Sequence, residues 1–138
     1  MAHLQRSVAA LRISGEQLIP AEVTRLLGSA PSHSYAKGDK RDLGNGRIVV
    51  KKLGLWSLQA TDAVPENLDA QVAELLGQLS SNLDVWRQLA ERFDIDLFCG
   101  WFMGSSDEGV EVAASTLHAL GERGIKLGVC VYAPDTEA

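Results

Sequence analysis

The sequence has little that would tie the chain to a membrane or to nucleic acid. No apolar run approaches the roughly 18 residues that a membrane-spanning helix needs, and the opening residues lack the apolar stretch of a signal peptide. The 13 lysines and arginines are outnumbered by 18 aspartates and glutamates, which leaves a net charge of −5. Phosphate backbones and anionic membranes repel such a chain unless its cations cluster. We therefore expect a cytoplasmic protein that binds neither nucleic acid nor membranes.

Cysteine and histidine are also scarce. The two cysteines, Cys99 and Cys130, each lie within an apolar stretch, and neither has the spacing of a metal site. Alternation along two predicted strands puts their thiols on opposite faces of a sheet, so we expect both to be free, with no disulfide. The three histidines are scattered and show no HExxH pattern. The sequence therefore predicts no metal site and no cofactor.

Sequence signatures of catalysis are missing as well. The chain has no G-x-S-x-G elbow, no Cys-His arrangement, no nucleotide-binding P-loop and no Gly-rich dinucleotide motif. Asp107 and Glu108 are adjacent in a Gly-rich loop, and adjacent carboxylates do not face one another as a catalytic pair must. Catalytic residues therefore remain unknown, and binding is favoured over enzymatic activity.

The hydrophobic residues, 46% of the chain, fall into segments with clear periodicity. We expect one domain over residues 1–138, with a frayed tail at about 133–138. Strands are predicted over 7–14, 47–52, 55–60, 94–102 and 125–132. Helices are predicted over 20–28, 67–79 and 115–123, with a further helical stripe from Trp86 to Phe93. Residues 29–46 are predicted as a long surface loop, and 52–54 as the tight turn of a hairpin.

This order of elements, β-α-β-β-α-(α)-β-α-β, predicts an α+β fold. We expect a five-stranded mixed or antiparallel sheet with helices on one face, related to the ferredoxin-like arrangement. A faint similarity between residues 15–28 and 100–121 suggests a pseudo-symmetric duplication.

Several stretches together resemble a known family. They are LRISGEQLIPAEVTRLLG from Leu11, then Pro31, SYAKGD from Ser34, WSL from Trp56, DLFCGWF from Asp96 and LGVCVY from Leu127. In this pattern, spread over residues 11–132, the chain resembles the bacterial family called domain of unknown function 4279. The resemblance implies a small, stand-alone bacterial protein, and it supplies no catalytic residues.

Alternation also predicts a first candidate site, on the face of the sheet that the helices leave uncovered. Its members are Arg12, Glu16, Asp96, Phe98, Phe102 and Tyr132. Such a face can bind a peptide, a flat ligand or a second copy of the chain, although a loop could instead cover its aromatic side chains. Arg12, Glu16 and Asp96 are the polar groups most able to meet, either as an active site or as an ion-pair cluster that stiffens the sheet.

A second candidate site is the segment 37–47. Its cations, which could gather a phosphate or a carboxylate, are Lys37, Lys40, Arg41 and Arg47. The alternative is a solvated loop. The sequence as a whole favours a non-catalytic protein-binding module, either self-associating or neutralising another protein. The alternative function is a small-molecule sensor or enzyme that uses a cleft between the sheet and residues 37–47.

Overall fold

A computed structural model describes residues 5–105 and 107–134. The described strands are β1 (Arg6–Gly15), β2 (His33–Tyr35), β3 (Lys40–Gly44), β4 (Arg47–Val50), β5 (Gly54–Gln59), β6 (Asp94–Phe102) and β7 (Lys126–Tyr132). The described helices are α1 (Pro20–Leu27), α2 (Leu68–Gly77), α3 (Leu83–Arg92) and α4 (Ala114–Glu122). The predicted α+β class is confirmed. Residues 135–138 of the predicted frayed tail lie outside the described residues.

The main sheet has five strands in the order β2-β5-β1-β6-β7. The central strand β1 is antiparallel to both of its neighbours, β5 and β6, and β2 is antiparallel to β5. Among the described strands, the pair β6 and β7 alone is parallel, and α4 makes the crossover between them. The sheet is therefore mixed, as predicted. The ferredoxin-like relation and the predicted order of elements are not confirmed, and the duplication stays a prediction.

The predicted hairpin between residues 47–52 and 55–60 is wrong. β4 pairs with β3 instead, in a separate two-stranded sheet, and β2 takes the place beside β5 in the main sheet. The residues between β3 and β4 explain the pairing, because Asn45 (φ 54°) and Gly46 (φ 75°) adopt the positive φ angles of a tight hairpin turn. The predicted loop over 29–46 is corrected accordingly, since it contains β2 and β3.

The core lies on one face of the main sheet. Ala9, Leu11 and Ile13 of β1 are at most 1% exposed, whereas the residues that alternate with them are half-buried. All four helices contribute buried residues to the same hydrophobic cluster as these strand residues. The prediction of helices on one face is therefore confirmed.

Polar contacts set the ends of the helices. Asn67 and Asn82 cap α2 and α3 by accepting hydrogen bonds from backbone N–H groups of the first turns, so the two helical stripes are separate helices. Gly28, with φ of 83°, ends α1 in the left-handed conformation. Among the described residues, no helix has the length and apolar character that crossing a membrane requires.

Candidate functional site

The side of the main sheet away from the core carries the predicted aromatic and charged residues. Because side chains alternate along a strand, this surface is formed by every second residue of β1, β6 and β7. We call it the open face, and its larger side chains are Arg6, Arg12, Asp94, Asp96, Phe98, Phe102, Lys126, Cys130 and Tyr132. Phe98 and Phe102 are half-buried, while Tyr132 is exposed.

Arg12 and Asp96 form a two-pronged ion pair on this face. Arg12 Nε donates to Asp96 Oδ1 at 2.9 Å, and Arg12 Nη2 donates to Asp96 Oδ2 at 2.8 Å. This hydrogen bonding is the main reason why the pKa of Arg12 is raised. The guanidinium carbon also lies 4.8 Å from the centre of the Phe98 ring. Arg12 therefore links a carboxylate and an aromatic ring of β6 to the central strand.

Glu16 is not brought to this pair. It lies just beyond the end of β1, and its carboxylate is 3.5 Å from Lys37 Nζ. The alternation that places Arg12 on the open face stops at Gly15, so it no longer determines the direction of the Glu16 side chain. The structure thus joins two members of the predicted three-residue cluster and places the third elsewhere.

The other two aromatic rings of the open face stack on each other. The ring centres of Phe102 and Tyr132 are 4.6 Å apart, with an angle of 11° between the ring planes. Arg6 covers the Phe102 ring, at 4.3 Å from guanidinium carbon to ring centre. Gly100 makes room for this arrangement, because a Cβ there would lie 2.8 Å from Val8 Cγ2 and 3.3 Å from Tyr132 Cε2.

The two thiols are free and lie in different environments. Cys99 is fully buried among the core residues of β6, and loss of hydration raises its pKa to about 12, with the Asp96 charge as a smaller cause. Cys130 lies partly exposed on the open face, where its side-chain hydrogen bond with Tyr132 raises the pKa of the tyrosine. The buried thiol is therefore shielded from reaction, while the other one faces solvent.

The cations of segment 37–47 are divided by the β3–β4 hairpin. Lys37 pairs with Glu16, whereas Lys40 and Arg41 line a cavity of about 470 Å³ between the hairpin and β2. The remaining lining residues are His33, Ser34, Tyr35, Asp39, Asp42 and Lys51. Arg47 is not among them, so the structure brings two of the four predicted cations together.

A larger groove, of about 700 Å³, lies beside residues 61–67 and the start of α2. Its acidic lining residues are Asp62, Glu66, Asp69, Glu74 and Glu111. Three of these carboxylates bind backbone groups: Glu74 accepts from the Thr61 N–H at 2.9 Å, Asp69 from the Ala113 N–H at 3.1 Å and Glu66 from the Leu68 N–H at 3.3 Å. Within residues 5–105 and 107–134, no group of three or more His, Cys, Asp or Glu side chains is placed to hold a metal ion.

Comparison with protein families gives a match over almost the whole chain. The model of the family described as Domain of unknown function (DUF4279) covers residues 5–134. The chain belongs to the DUF4279 family. Neither the curated proteins nor the solved structures that were compared with it gave a match. The family membership that the sequence predicted is thus confirmed for this DUF4279 chain.

Sequence reasoning missed two features of this DUF4279 chain. Arg6 belongs to the open face but lies one residue before the predicted strand, so extending the alternation by one position would have found it. The acidic groove combines residues 61–74 with Glu111, and no spacing in the sequence indicates that Glu111 lies close to residues 61–74. The groove therefore becomes visible only once the fold is known.

Proposed function

We propose that this member of the DUF4279 family is a bacterial, cytoplasmic, non-catalytic protein-binding module whose binding surface is the open face. The observation that supports the proposal is the set of three aromatic rings, each in contact with an arginine or with another ring on the uncovered side of the sheet. Aromatic and arginine side chains dominate the binding energy of protein interfaces.

The fixed positions of these side chains also favour binding. Arg12 is held by two hydrogen bonds to Asp96 and lies over Phe98, so it loses little rotamer freedom when a partner covers it. Phe102 is fixed in the same way between Arg6 and Tyr132. A surface that is ordered before the encounter loses less conformational entropy on binding than a flexible one.

The charged side chains of the open face form ion pairs, which indicates what kind of partner the face suits. Arg12 pairs with Asp96, Lys126 pairs with Asp94 at 2.6 Å, and Arg6 lies 3.8 Å from Asp62, which follows β5. A partner therefore contacts a surface on which positive and negative charges are paired, and such a surface favours another protein over a phosphate backbone. In the most specific form of this function, the chain binds another protein over its active surface and thereby neutralises its activity.

Site-specific crosslinking in cells that encode the chain tests this proposal. A photoreactive phenylalanine analogue at Phe102 probes the open face, and the same analogue at the exposed Arg87 of α3 is the matched control on the helix side. We expect one defined protein to be captured from position 102 and not from position 87, with capture reduced in the Arg12→Ala variant. Equal capture from both positions, or capture from neither, would contradict the proposal.

A second candidate function rests on the 470 Å³ cavity between β2 and the hairpin. Lys40, Arg41 and Lys51 line it, together with Tyr35, whose ring centre lies 4.4 Å from Lys51 Nζ. This chemistry suits a small anion that carries an aromatic group. In thermal-shift measurements with a panel of anionic metabolites, a matching ligand should raise the melting temperature of the native chain and of the Lys52→Ala control. It should not raise the melting temperature of the Lys40→Ala/Arg41→Ala variant. Uniformly unchanged melting temperatures would remove this candidate.

A further inference from the structure

Strand β7 forms an edge of the main sheet, and among residues 5–105 and 107–134 no other strand pairs with its outer side. The Tyr132 carbonyl accepts a hydrogen bond from the Met103 N–H at 3.1 Å, so the backbone groups of Tyr132 point toward β6. By alternation, those of Lys126, Gly128 and Cys130 do the same. Leu127, Val129 and Val131 therefore direct their N–H and C=O groups away from the sheet, where another strand can bind them.

The side chains of β7 do not protect this edge. The stretch Leu127–Val131 contains no charged residue and no proline, which are the usual means of preventing edge pairing. Leu127, Val129 and Val131 are also exposed, up to 56% for Val131, although they lie on the side of the sheet that carries the helices. The opposite edge, β2, is only three residues long. Of the two edge strands, β7 is thus the one that can pair with another strand.

We propose that β7 pairs antiparallel with β7 of a second copy, around a two-fold axis at Val129, and joins two five-stranded sheets into one. In this register, Val129 faces its counterpart, and Leu127 faces Val131 of the second copy. All three outward-pointing residues of each copy then form hydrogen-bonded pairs, and apolar side chains meet apolar side chains. An axis at Gly128 would leave Val131 unpaired, and an axis at Cys130 would leave Leu127 unpaired.

The other face of the same register is also self-complementary. Gly128 lies opposite Cys130 of the second copy, in a non-hydrogen-bonded pair, where facing side chains are closest. Apart from its two chain neighbours, no described residue has an atom within 4 Å of the place where a Gly128 Cβ would be. Lys126, which is paired with Asp94, lies opposite the uncharged Tyr132, so no like charges face each other. A strand of unrelated sequence would match both faces only by chance, which is why a second copy is the occupant that we infer.

The inference deepens the proposed function by naming a second copy as one partner, but it rests on the edge strand and not on binding at the open face. It can therefore fail while the crosslink from Phe102 to another protein is still observed. Conversely, the edge can pair in a chain whose open face binds nothing.

Disulfide trapping tests the register directly. In the Gly128→Cys variant, the new thiol lies opposite the native Cys130 of the second copy, so mild oxidation should give a covalent dimer on a non-reducing gel. Adding Cys130→Ser should abolish it. Gly121→Cys is the matched control, because Gly121 is an exposed glycine with equally open surroundings on α4. A monomer in every variant, or equal crosslinking from position 121, would overturn the proposed register.

Solution mass provides an independent measurement. We expect the unmodified chain to sediment at twice 14.9 kDa, and the Val129→Lys variant to sediment as a monomer with an unchanged circular dichroism spectrum. A monomer for the unmodified chain at its highest soluble concentration would overturn the proposal. So would a dimer that survives Val129→Lys but is lost in Phe102→Ser, because that result would move the contact to the open face.

Discussion

Arg12 of β1 and Asp96 of β6 lie directly opposite each other and share two hydrogen bonds. The pair crosses the centre of the open face and holds the guanidinium over Phe98. Because the side chains of Arg12 and Asp96 are 42% and 25% exposed, solvent screens part of their attraction. We therefore expect the pair to fix the position of the aromatic surface more than it stabilises the fold.

A double-mutant cycle of Arg12→Ala and Asp96→Ala should give a coupling energy of about 0.5 to 1 kcal/mol, which decreases with added salt. Urea unfolding at low and high ionic strength measures it. The exposed pair Arg87 and Asp84, 3.0 Å apart on one helix, is the control and should couple less. A coupling of zero, or one that salt does not change, would show that the ion pair does not act as described.

The buried amide of Gln71 should matter more for stability than any ion pair. Its Nε2 donates to the Ser7 carbonyl at 2.9 Å and the Thr61 carbonyl at 3.0 Å, and its Oε1 accepts from Ser7 Oγ at 2.8 Å. Gln71→Ala removes all three bonds and takes away the acceptor of the buried Ser7 hydroxyl, while the Ser7 carbonyl keeps its bond from the Ala63 N–H. We therefore expect a loss of about 1 to 3 kcal/mol in the free energy of unfolding.

The exposed Gln78 near the end of α2 is the matched control for Gln71, and its replacement by alanine should change stability by less than about 0.5 kcal/mol. Chemical denaturation of the two variants is the measurement. Equal effects of Gln71→Ala and Gln78→Ala would mean that the buried bonds contribute nothing beyond an ordinary surface contact.

Alkaline pH should weaken the fold through Cys99. Burial raises the pKa of this thiol from 9.0 to about 12, so the unfolded chain loses the proton first as pH rises. The stabilisation is complete below pH 9 and is lost progressively between pH 9 and about 12. The difference in unfolding free energy between the unmodified chain and Cys99→Ala should therefore shrink across this window. A difference that stays constant would contradict the burial of the thiol.

The β3–β4 hairpin should unfold without the main sheet. Gly46 has φ of 75°, so Gly46→Ala places a side chain in a left-handed conformation at a cost of about 1 to 2 kcal/mol. We expect faster amide exchange in β3 and β4, because their exposed residues pair mainly with each other, and nearly unchanged exchange in β1 and β6. Gly77→Ala, at an unstrained helical position, is the control. Faster exchange throughout the chain would show that the hairpin supports the core.

The sequence predicted the elements whose burial and periodicity agree. β1 and β6 alternate buried and half-buried residues, and the amphipathic pattern of α3 matches the face that it packs. β4 misled the prediction, because Ile48, Val49 and Val50 read as a core strand but are all exposed. The Asn45-Gly46 turn was the local signal for the correct pairing. β2 has no such signal, since three mostly polar residues become a strand only through pairing with β5.

The candidate site was predictable where alternation determines the direction of side chains. Parity along β6 placed Phe98 and Phe102 on one face with Asp96, and the ion pair with Arg12 followed from the pairing of neighbouring strands. Parity could not place Glu16, which lies beyond the strand. It also could not foresee that Lys37 would pair with Glu16, because that contact depends on the path of a loop.

The position of β1 at the centre of the sheet affects the speed of folding. Its neighbours are β5 and β6, and the Arg12–Asp96 pair alone closes a separation of 84 residues. During synthesis, β1 can therefore pair with β6 only after most of the residues between the two strands have been added. Such a topology has a high contact order and favours slow folding. β1 precedes the other described strands in the chain, yet it is thus among the last of them to be fully paired.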